Sequence, residues 1–506
     1  MERLVYRRQF LLINSEIKEL NHWQYKNIDD NIHLYVHPDL NLTYSSSKTF
    51  HIIMLGNIFD PNDPQKGDND IISDLSLKIE SFNELISSIR SYAGRYVFIY
   101  KDHFNFCIFH DPLGLREIYY CTKPNRVICG SQPNMLAVFS MPKLEITNNK
   151  KILNFYENDL NTVRSGRLWV GDETLFCSIK HLMPNHYLNI YKLKVNRYWP
   201  NRKIERIDLN IAVKLTCSYL KGVMDAITSR FQVMMAVTSG MDSRSLLAAS
   251  KDLKSKIYFF VNKHPHLKSS APDIRLPKAM MESLRIPFHI HCIEKQVDEE
   301  FKKIFLNNVF MSSELLLPAI YNVYFKNHQE KVNILGVGEI GREYYGDEPV
   351  ELDGYYLAHC LKYRSSVYAT EQCENWLNQT RDVAKIFNID IMKMFLWECL
   401  LGNWGCVGNS ESDIAIEEFD PYDSHYVYEI MLSVDPKHGD LFIEMYKAMW
   451  PELLDFPFNP PETKKDSIIL LMKKIGMYNI LKKLRFYYER WKYNKLLIKR
   501  NVATHI

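Results

Sequence analysis

No Cys-x-x-Cys pair occurs in this chain, and its ten cysteines, from Cys107 to Cys406, follow no regular spacing. That excludes a zinc ribbon and a disulfide framework and leaves reduced thiols as the reading. Long apolar runs are missing too. Nothing approaches the roughly 20 apolar residues of a spanning helix, and Met1-Glu2-Arg3-Leu4 opens no export segment. The expectation is a cytoplasmic protein with no transmembrane segment. Charge of one sign is also scarce: a formal +3 over 506 residues gives the whole molecule no electrostatic reason to bind nucleic acid, and no such partner is expected. Internal repeats and low-complexity tracts are absent. What the chain has is material for cores, 46% hydrophobic and 13% aromatic, enough for two domains or a few.

Up to about Pro200 the pattern is short, aromatic and alternating. Tyr96-Val97-Phe98-Ile99-Tyr100, a polar turn through Asp102 and His103, and Phe106-Cys107-Ile108-Phe109 read as a hairpin in a sheet-rich domain. Strand-like pieces follow at 127–129 and 187–191, and the acidic stretch 60–74 reads as a loop. A boundary is placed near Tyr198-Trp199-Pro200. Beyond Asp208 the texture becomes α/β: an amphipathic segment over 209–230 alternates with compact apolar runs at 233–237, 257–261 and 332–335. Residues 279–284 fit a crossover helix leading into a strand at 287–291. The expected division is 1–200, 206–463 and a tail, 464–506.

That tail carries twelve Lys or Arg between 464 and 500 against Asp466 and Glu489, interleaved with Ile, Leu, Met, Tyr and Trp. It reads as a helix packed on the domain with a solvated cationic face, with membrane-surface contact as the alternative.

The sharpest signal is Val233-Met234-Met235-Ala236-Val237-Thr238-Ser239-Gly240-Met241-Asp242-Ser243-Arg244, a buried-type strand turning through small residues into a helix. A helix N-terminus presents unpaired N–H groups, and small side chains let a phosphate approach them. The hydroxyls of Thr238, Ser239 and Ser243 add donors, and Asp242 supplies a carboxylate suited to magnesium. No GxxxxGK[ST] is present, so this is not a Walker loop. Ordinary strand-turn-helix scaffolding is the competing reading.

These residues resemble the SGGxDS pyrophosphate loop of asparagine synthetase and other N-type ATP pyrophosphatases. Thr238 and Ser239 stand where that pattern has Ser and Gly, while Gly240, Asp242 and Ser243 match it. The run 257–261 falls where the family places its adenine-contacting strand, which implies a role for Val261. Asp273, Ala279 and Leu284-Arg285-Ile286-Pro287 are similar to the family's next helix and strand, and Asp420-Pro421-Tyr422-Asp423-Ser424-His425 resembles the family's PF-x-D-H segment.

Gly336-Val337-Gly338-Glu339-Ile340-Gly341 is a formal GxGxxG after a strand, but Gly346, Pro349 and Gly354 interrupt the helix that a dinucleotide-binding unit requires. The resemblance puts a Gly- and acid-rich loop here instead. It implies nucleotide contacts at Gly336 and Gly338 and a magnesium ligand or general base at Glu339; a structural ion pair between Glu339 and Arg342 is the rival reading. Near Pro460-Pro461-Glu462-Thr463 the family carries a lysine that steadies the adenylate, a role carried to Lys464 or Lys465, each of which also fits an exposed surface position.

The first 200 residues resemble the class II glutamine amidotransferase domain in Gly56-Asn57-Ile58, Gly94-Arg95-Tyr96-Val97, Asp111-Pro112-Leu113-Gly114-Leu115-Arg116-Glu117-Ile118-Tyr119-Tyr120 and Ser131-Gln132-Pro133. Active members use an N-terminal Cys as nucleophile; here residue 2 is Glu2, and the first cysteine, Cys107, lies within a predicted strand. The resemblance therefore implies an α/β and α+β protein: an Ntn-hydrolase-like β-rich domain lacking its nucleophile, as in the β-lactam synthetase branch, then a parallel-sheet PP-loop ATP pyrophosphatase domain. It implies a ligase using ATP and Mg2+ to adenylate a small carboxylate and pass it to ammonia or an amine. A catalytically dead scaffold or binding protein, and ammonia-dependent asparagine formation, are the alternatives.

Overall fold

Alternation with a period of two decides the first half of the computed structural model, which describes residues 1–29, 31–123, 128–140, 143–160, 167–342, 345, 351–435, 439–461 and 464–503. Two six-stranded antiparallel sheets form. One runs in the order Ile179–His181, Tyr119–Cys121, Ile128–Gly130, Phe10–Ile13, Ile32–Val36, Gln24–Asp29; the other runs Lys194–Arg197, His186–Asn189, Phe106–His110, Ala93–Asp102, Phe50–Phe59, Leu42–Ser46. Because successive side chains point to opposite faces, Leu12 and Leu34 of the first sheet meet Val97, Ile99 and Ile108 of the second in one core. Phe98 and Tyr100 point outward onto Ile72, Leu75 and Leu85 of the helices Asp68–Lys78 and Phe82–Ile89. Leu11 and Ile13 pack on Met135 and Leu136 of the helix Pro133–Phe139. The layers are therefore helix, sheet, sheet, helix, and each fully buried large side chain contributes about 1.5–3 kcal/mol.

The expected hairpin is present at 93–110. The stretch 60–74 is a loop only as far as Gly67: a helix begins at Asp68, with the Asp70 carboxylate accepting from the Gly67 N–H at 2.9 Å. Its acidic composition conceals Ile71, Ile72 and Leu75, whose burial against the sheet outweighs the local loop signal. Val127 of the expected strand lies outside the described residues.

After Asp208, whose side chain caps the helix Leu209–Arg230, five strands form a parallel sheet in the order His289–Cys292, Ile257–Lys263, Gln232–Ala236, Lys331–Ile334, Glu417–Phe419. The crossover helix is longer than its apolar signal, Pro272–Ser283, because Pro272 occupies the first helical position, where its missing N–H costs nothing. Val233 and Met235 face one core with Leu220, Leu246 and Phe419. Met234 and Phe260 face another with Phe301, Ile320 and Leu4 from the start of the chain.

The two halves are locked by buried charge. Arg95, 1% exposed, donates to both carboxylate oxygens of Asp413 at 2.7 and 2.8 Å and to Glu417 at 3.1 Å, and Arg116 donates to Glu417 at 2.6 Å. The backbones come close as well: a Cβ on Gly222 would stand 2.1 Å from the Pro61 carbonyl oxygen, so only glycine lets this helix cross that loop.

Candidate functional site

In the order 3-2-1-4-5 the chain winds outward in opposite directions from the strands Gln232–Ala236 and Lys331–Ile334. At such a reversal the loops leaving the carboxyl ends diverge and open a crevice. The loop 237–243 leaves the first strand and the loop 335–342 the second, so two segments about a hundred residues apart in sequence form one site.

The first loop is internally bonded. Ser243 Oγ accepts from the Thr238 N–H at 3.2 Å, and Thr238 Oγ1 accepts from the Gly240 N–H at 3.2 Å. The N–H and hydroxyl of Ser239 both donate to Asp273, at 3.1 and 2.5 Å. Val237 is buried and its N–H donates to the Phe260 carbonyl at 2.9 Å. The helix Met241–Ala249 comes next, fixed by Arg244, which donates to the carbonyls of Phe456 and Pro457 at 2.7 and 2.6 Å. Tyr446 donates to the Met241 carbonyl at 2.6 Å, and Ser245 meets the Tyr422 hydroxyl.

The second loop contributes closeness and charge. A Cβ on Gly338 would stand 2.7 Å from Asp242 Oδ1, and one on Gly336 3.3 Å from Asp242 Cβ, so the glycines allow the two loops to touch. Glu339 opens a short 3-10 turn, Glu339–Gly341; no dinucleotide-type helix starts there. Arg342 pairs with Asp242 and not with Glu339.

Three carboxyl groups share this crevice. Burial pushes the Asp242 carboxyl up, against the pull of Arg342. Burial and then the Asp242 charge push Glu339 up to about 7. Burial drives Asp420 well above the usual carboxylate range, with Glu339 and Asp242 adding to it. One oxygen of each, Asp242 Oδ1, Glu339 Oε2 and Asp420 Oδ2, is buried without a well-aligned hydrogen-bond donor, although the backbone N–H groups of Gly338 and Val337 lie close enough to favour the Asp242 and Asp420 charges. Hard oxygen donors with unused lone pairs suit a divalent cation such as magnesium, so the residues fit one. Their oxygens are more widely spaced than a closed ligand set: among the described residues, Glu117, His181 and Cys406 form the one group of three whose ligand atoms lie within 4.8 Å of one another. There, Glu117 already accepts from Tyr119, Gln132 and Ser410.

Of the residues singled out in the sequence, Val237, Thr238, Ser239, Gly240, Asp242, Ser243, Gly336, Gly338 and Glu339 converge here. Val261 is buried on the neighbouring strand, paired with Ile290. Lys464 and Lys465 begin the helix Lys464–Lys474, and their side chains lie outside the described residues. Asp420 was not among the predicted ligands. Its signal is positional: it is the first residue beyond the strand Glu417–Phe419. Asp273 lies in the segment that resembles the family's next helix, but its bonds to Ser239 come from the tertiary fold.

The amidotransferase-like motifs go to the interface between halves. Asp111 accepts from the Leu115 and Arg116 N–H groups at 2.7 and 3.0 Å, and Asp423 accepts from the Leu113 N–H at 2.9 Å. Glu2 lies in an exposed turn, and burial pushes the Cys107 thiol up to about 12. A cavity of about 510 Å³ opens away from the crevice, bordered by His186, Arg197, Gln372 and Trp376, with Arg197 held by Glu398. No helix among the described residues is long and apolar enough to cross a membrane.

No protein-family model and no curated protein matches the chain. Among solved structures it is similar to a glutamine phosphoribosylpyrophosphate amidotransferase from B. subtilis complexed with ADP and GMP, at 12% identity over 66% of this chain and 70% of that one, with a TM-score of 0.22. An allosteric regulatory enzyme of purine biosynthesis matches at 9% identity over 57% and 76%, TM-score 0.23. An NH3-dependent NAD synthetase from Campylobacter jejuni subsp. jejuni matches at 12% identity over 38% and 92%, TM-score 0.20. Scores this low carry no argument; the α/β architecture rests on the sheet order itself.

Proposed function

We propose that this chain is an ATP-dependent ligase that activates a small carboxylate as an acyl-adenylate, releases pyrophosphate and passes the acyl group to ammonia or an amine, without glutaminase activity. The observation that carries this reading is the meeting, at the reversal of a parallel sheet, of a hydroxyl-rich strand-to-helix loop with three buried carboxyl groups that have unused oxygens. Thr238, Ser239, Gly240 and Ser243 hold the pyrophosphate portion of ATP, with Gly336 and Gly338 leaving room beside it. Val261 lies on the strand that faces the adenine. Asp242 and Glu339, joined by Asp420, hold Mg2+, which when bound neutralises and orients the polyphosphate oxygens. With Asp242 and Asp420 alone as the metal ligands, Glu339, its carboxyl pushed up to about 7, is instead suited to take the proton that the attacking amine sheds. Lys464 or Lys465 supplies a cation to the developing adenylate charge.

In this reading residues 1–200 form an Ntn-hydrolase-like domain kept as a structural partner: its motif residues Arg95, Leu113 and Arg116 bond to the parallel-sheet half, 206–463. Glu2 occupies the nucleophile's place, and glutamine is not hydrolysed. The deciding experiment is pyrophosphate exchange: purified protein with ATP, Mg2+ and a panel of acids moves labelled pyrophosphate into ATP only when its own acid is present. Exchange with aspartate would identify ammonia-dependent asparagine synthesis; no exchange with any acid refutes the ligase.

A second reading, a binding protein or scaffold without catalysis, is favoured by the pairing of Arg342 with Asp242 and by Asp273 taking both Ser239 donors. Calorimetry separates the two, since a scaffold gives no magnesium-dependent heat with ATP.

A further inference from the structure

The helix Met477–Ala503 succeeds the helix Lys464–Lys474 after Gly476 and is held to the body along one seam. Phe486 and Tyr493 are buried against Tyr355. Arg490 pairs with Glu351 and Asp353, and Glu489 with His359 and Arg364. The opposite side is apolar and uncovered. At about 100° per residue, Ile480, Leu484, Tyr487, Trp491 and Ile498 fall within about 60° of one another, well away from the seam. Ile480 and Leu484 are each 61% exposed, Trp491 52% and Ile498 64%. Ile468, Leu471 and Ile475, also exposed, add apolar residues at helical spacing just before Gly476.

The stripe is bordered by cations, with Lys483 along one flank and Lys492 and Lys495 along the other. Lys492 lies 4.5 Å from the centre of the Tyr488 ring and Lys495 3.8 Å from that of Trp491. Glu489 is the helix's one acid, and it sits at the body, engaged by His359, Arg364 and Arg485.

We propose that this face docks on an anionic phospholipid bilayer, with the helix lying flat in the headgroup region. Large aliphatic side chains reach the acyl boundary there, Tyr and Trp rings have one apolar and one polar side to satisfy at that depth, and flanking ammonium groups meet the lipid phosphates. Charge selects this occupant over a second copy of the chain: pairing two such stripes sets Lys483, Lys492 and Lys495 against one another with no acid on the face to offset them. The helix does not span. Its seam of Phe486 and Tyr493 stays on the body while the other side is used, so docking requires no unfolding.

The test uses the full chain mixed with phosphatidylcholine vesicles, either neutral or with a third of the lipid as phosphatidylserine. At about 0.1 M salt the protein sediments with the anionic vesicles and not with the neutral ones. Leu484→Ser with Trp491→Ser, and separately Lys483→Glu with Lys492→Glu and Lys495→Glu, each weaken binding at least about tenfold. The thermal midpoint stays unchanged, because these side chains are exposed. Equal sedimentation with both vesicle types, no sedimentation with either, or variants that bind as the parent does overturns the proposal. So does a dimer seen by light scattering that the Leu484 and Trp491 substitutions abolish.

Discussion

The guanidinium of Arg342 donates to Oδ2 of Asp242 across the two loops that end adjacent parallel strands, and it leaves Oδ1 of the same carboxylate buried without a well-aligned hydrogen-bond donor. A cation of the protein thus stands beside the carboxylate proposed to hold magnesium. Removing it with Arg342→Ala at pH 8 leaves Asp242 dependent on the metal, so magnesium-dependent ATP binding tightens by up to about tenfold, or about 1.4 kcal/mol. Asp242→Asn loses the magnesium-dependent heat. Isothermal calorimetry reads both, and looser binding in Arg342→Ala would show that the arginine is itself a phosphate contact.

The proposed adenylation depends on the same carboxylate. Asp242→Ala slows acid-dependent pyrophosphate exchange at least about a hundredfold, about 2.7 kcal/mol of barrier. Asp420→Asn changes the rate in the same direction if its unused oxygen joins the metal. An Asp242→Ala rate equal to that of the parent removes the assignment.

Glu339 makes stability depend on pH. Its carboxyl titrates near 7 in the folded chain against an ordinary 4.5. Between those values the folded state keeps a proton that the unfolded state releases, so this contribution is full below about pH 4.5 and is lost as pH rises towards 7. Glu339→Gln removes the loss. Urea unfolding finds the variant matched to the parent at low pH and more stable at pH 8, by at most about 3 kcal/mol.

Arg95→Met removes both hydrogen bonds to the buried carboxylate of Asp413, while Glu417 keeps Arg116, and lowers stability by about 3–5 kcal/mol. Lys151→Ala removes an ion pair to Glu371 whose partners are 59% and 43% exposed, and it changes stability by less than about 1 kcal/mol. Thermal unfolding of the two variants side by side tests whether the amidotransferase-like arginine is structural.

Gly338→Ala places a methyl 2.7 Å from Asp242 Oδ1 and 2.9 Å from Phe442 Cζ. Relief requires the two loops to part, costing about 1–3 kcal/mol. Magnesium-dependent binding falls with it in the same calorimetric assay.

Much of this was legible from local pattern. The run 209–230 coincides with its helix because Asp208 caps one end and the apolar face is continuous. The small-residue turn after Val237 leads into a helix as its composition requires. Other features were hidden. The helix at Asp68 depends on a sheet face supplied by residues 50–59 and 93–102. Arg342 looked equally able to pair with Glu339, three residues away, and pairs instead with Asp242, a hundred positions back.

What the sequence determined by itself is whatever is encoded within a few residues: the period-two strands, the capped helices, the small-residue strand-to-helix turn and a C-terminal helix with large apolar residues between lysines. The tertiary structure decided which of these meet. Strand order, which no local window carries, brought Asp242, Glu339 and Asp420 to one crevice. It also set the burial that raises their carboxyl groups, because the cost of desolvating a charge depends on what the rest of the chain places around it.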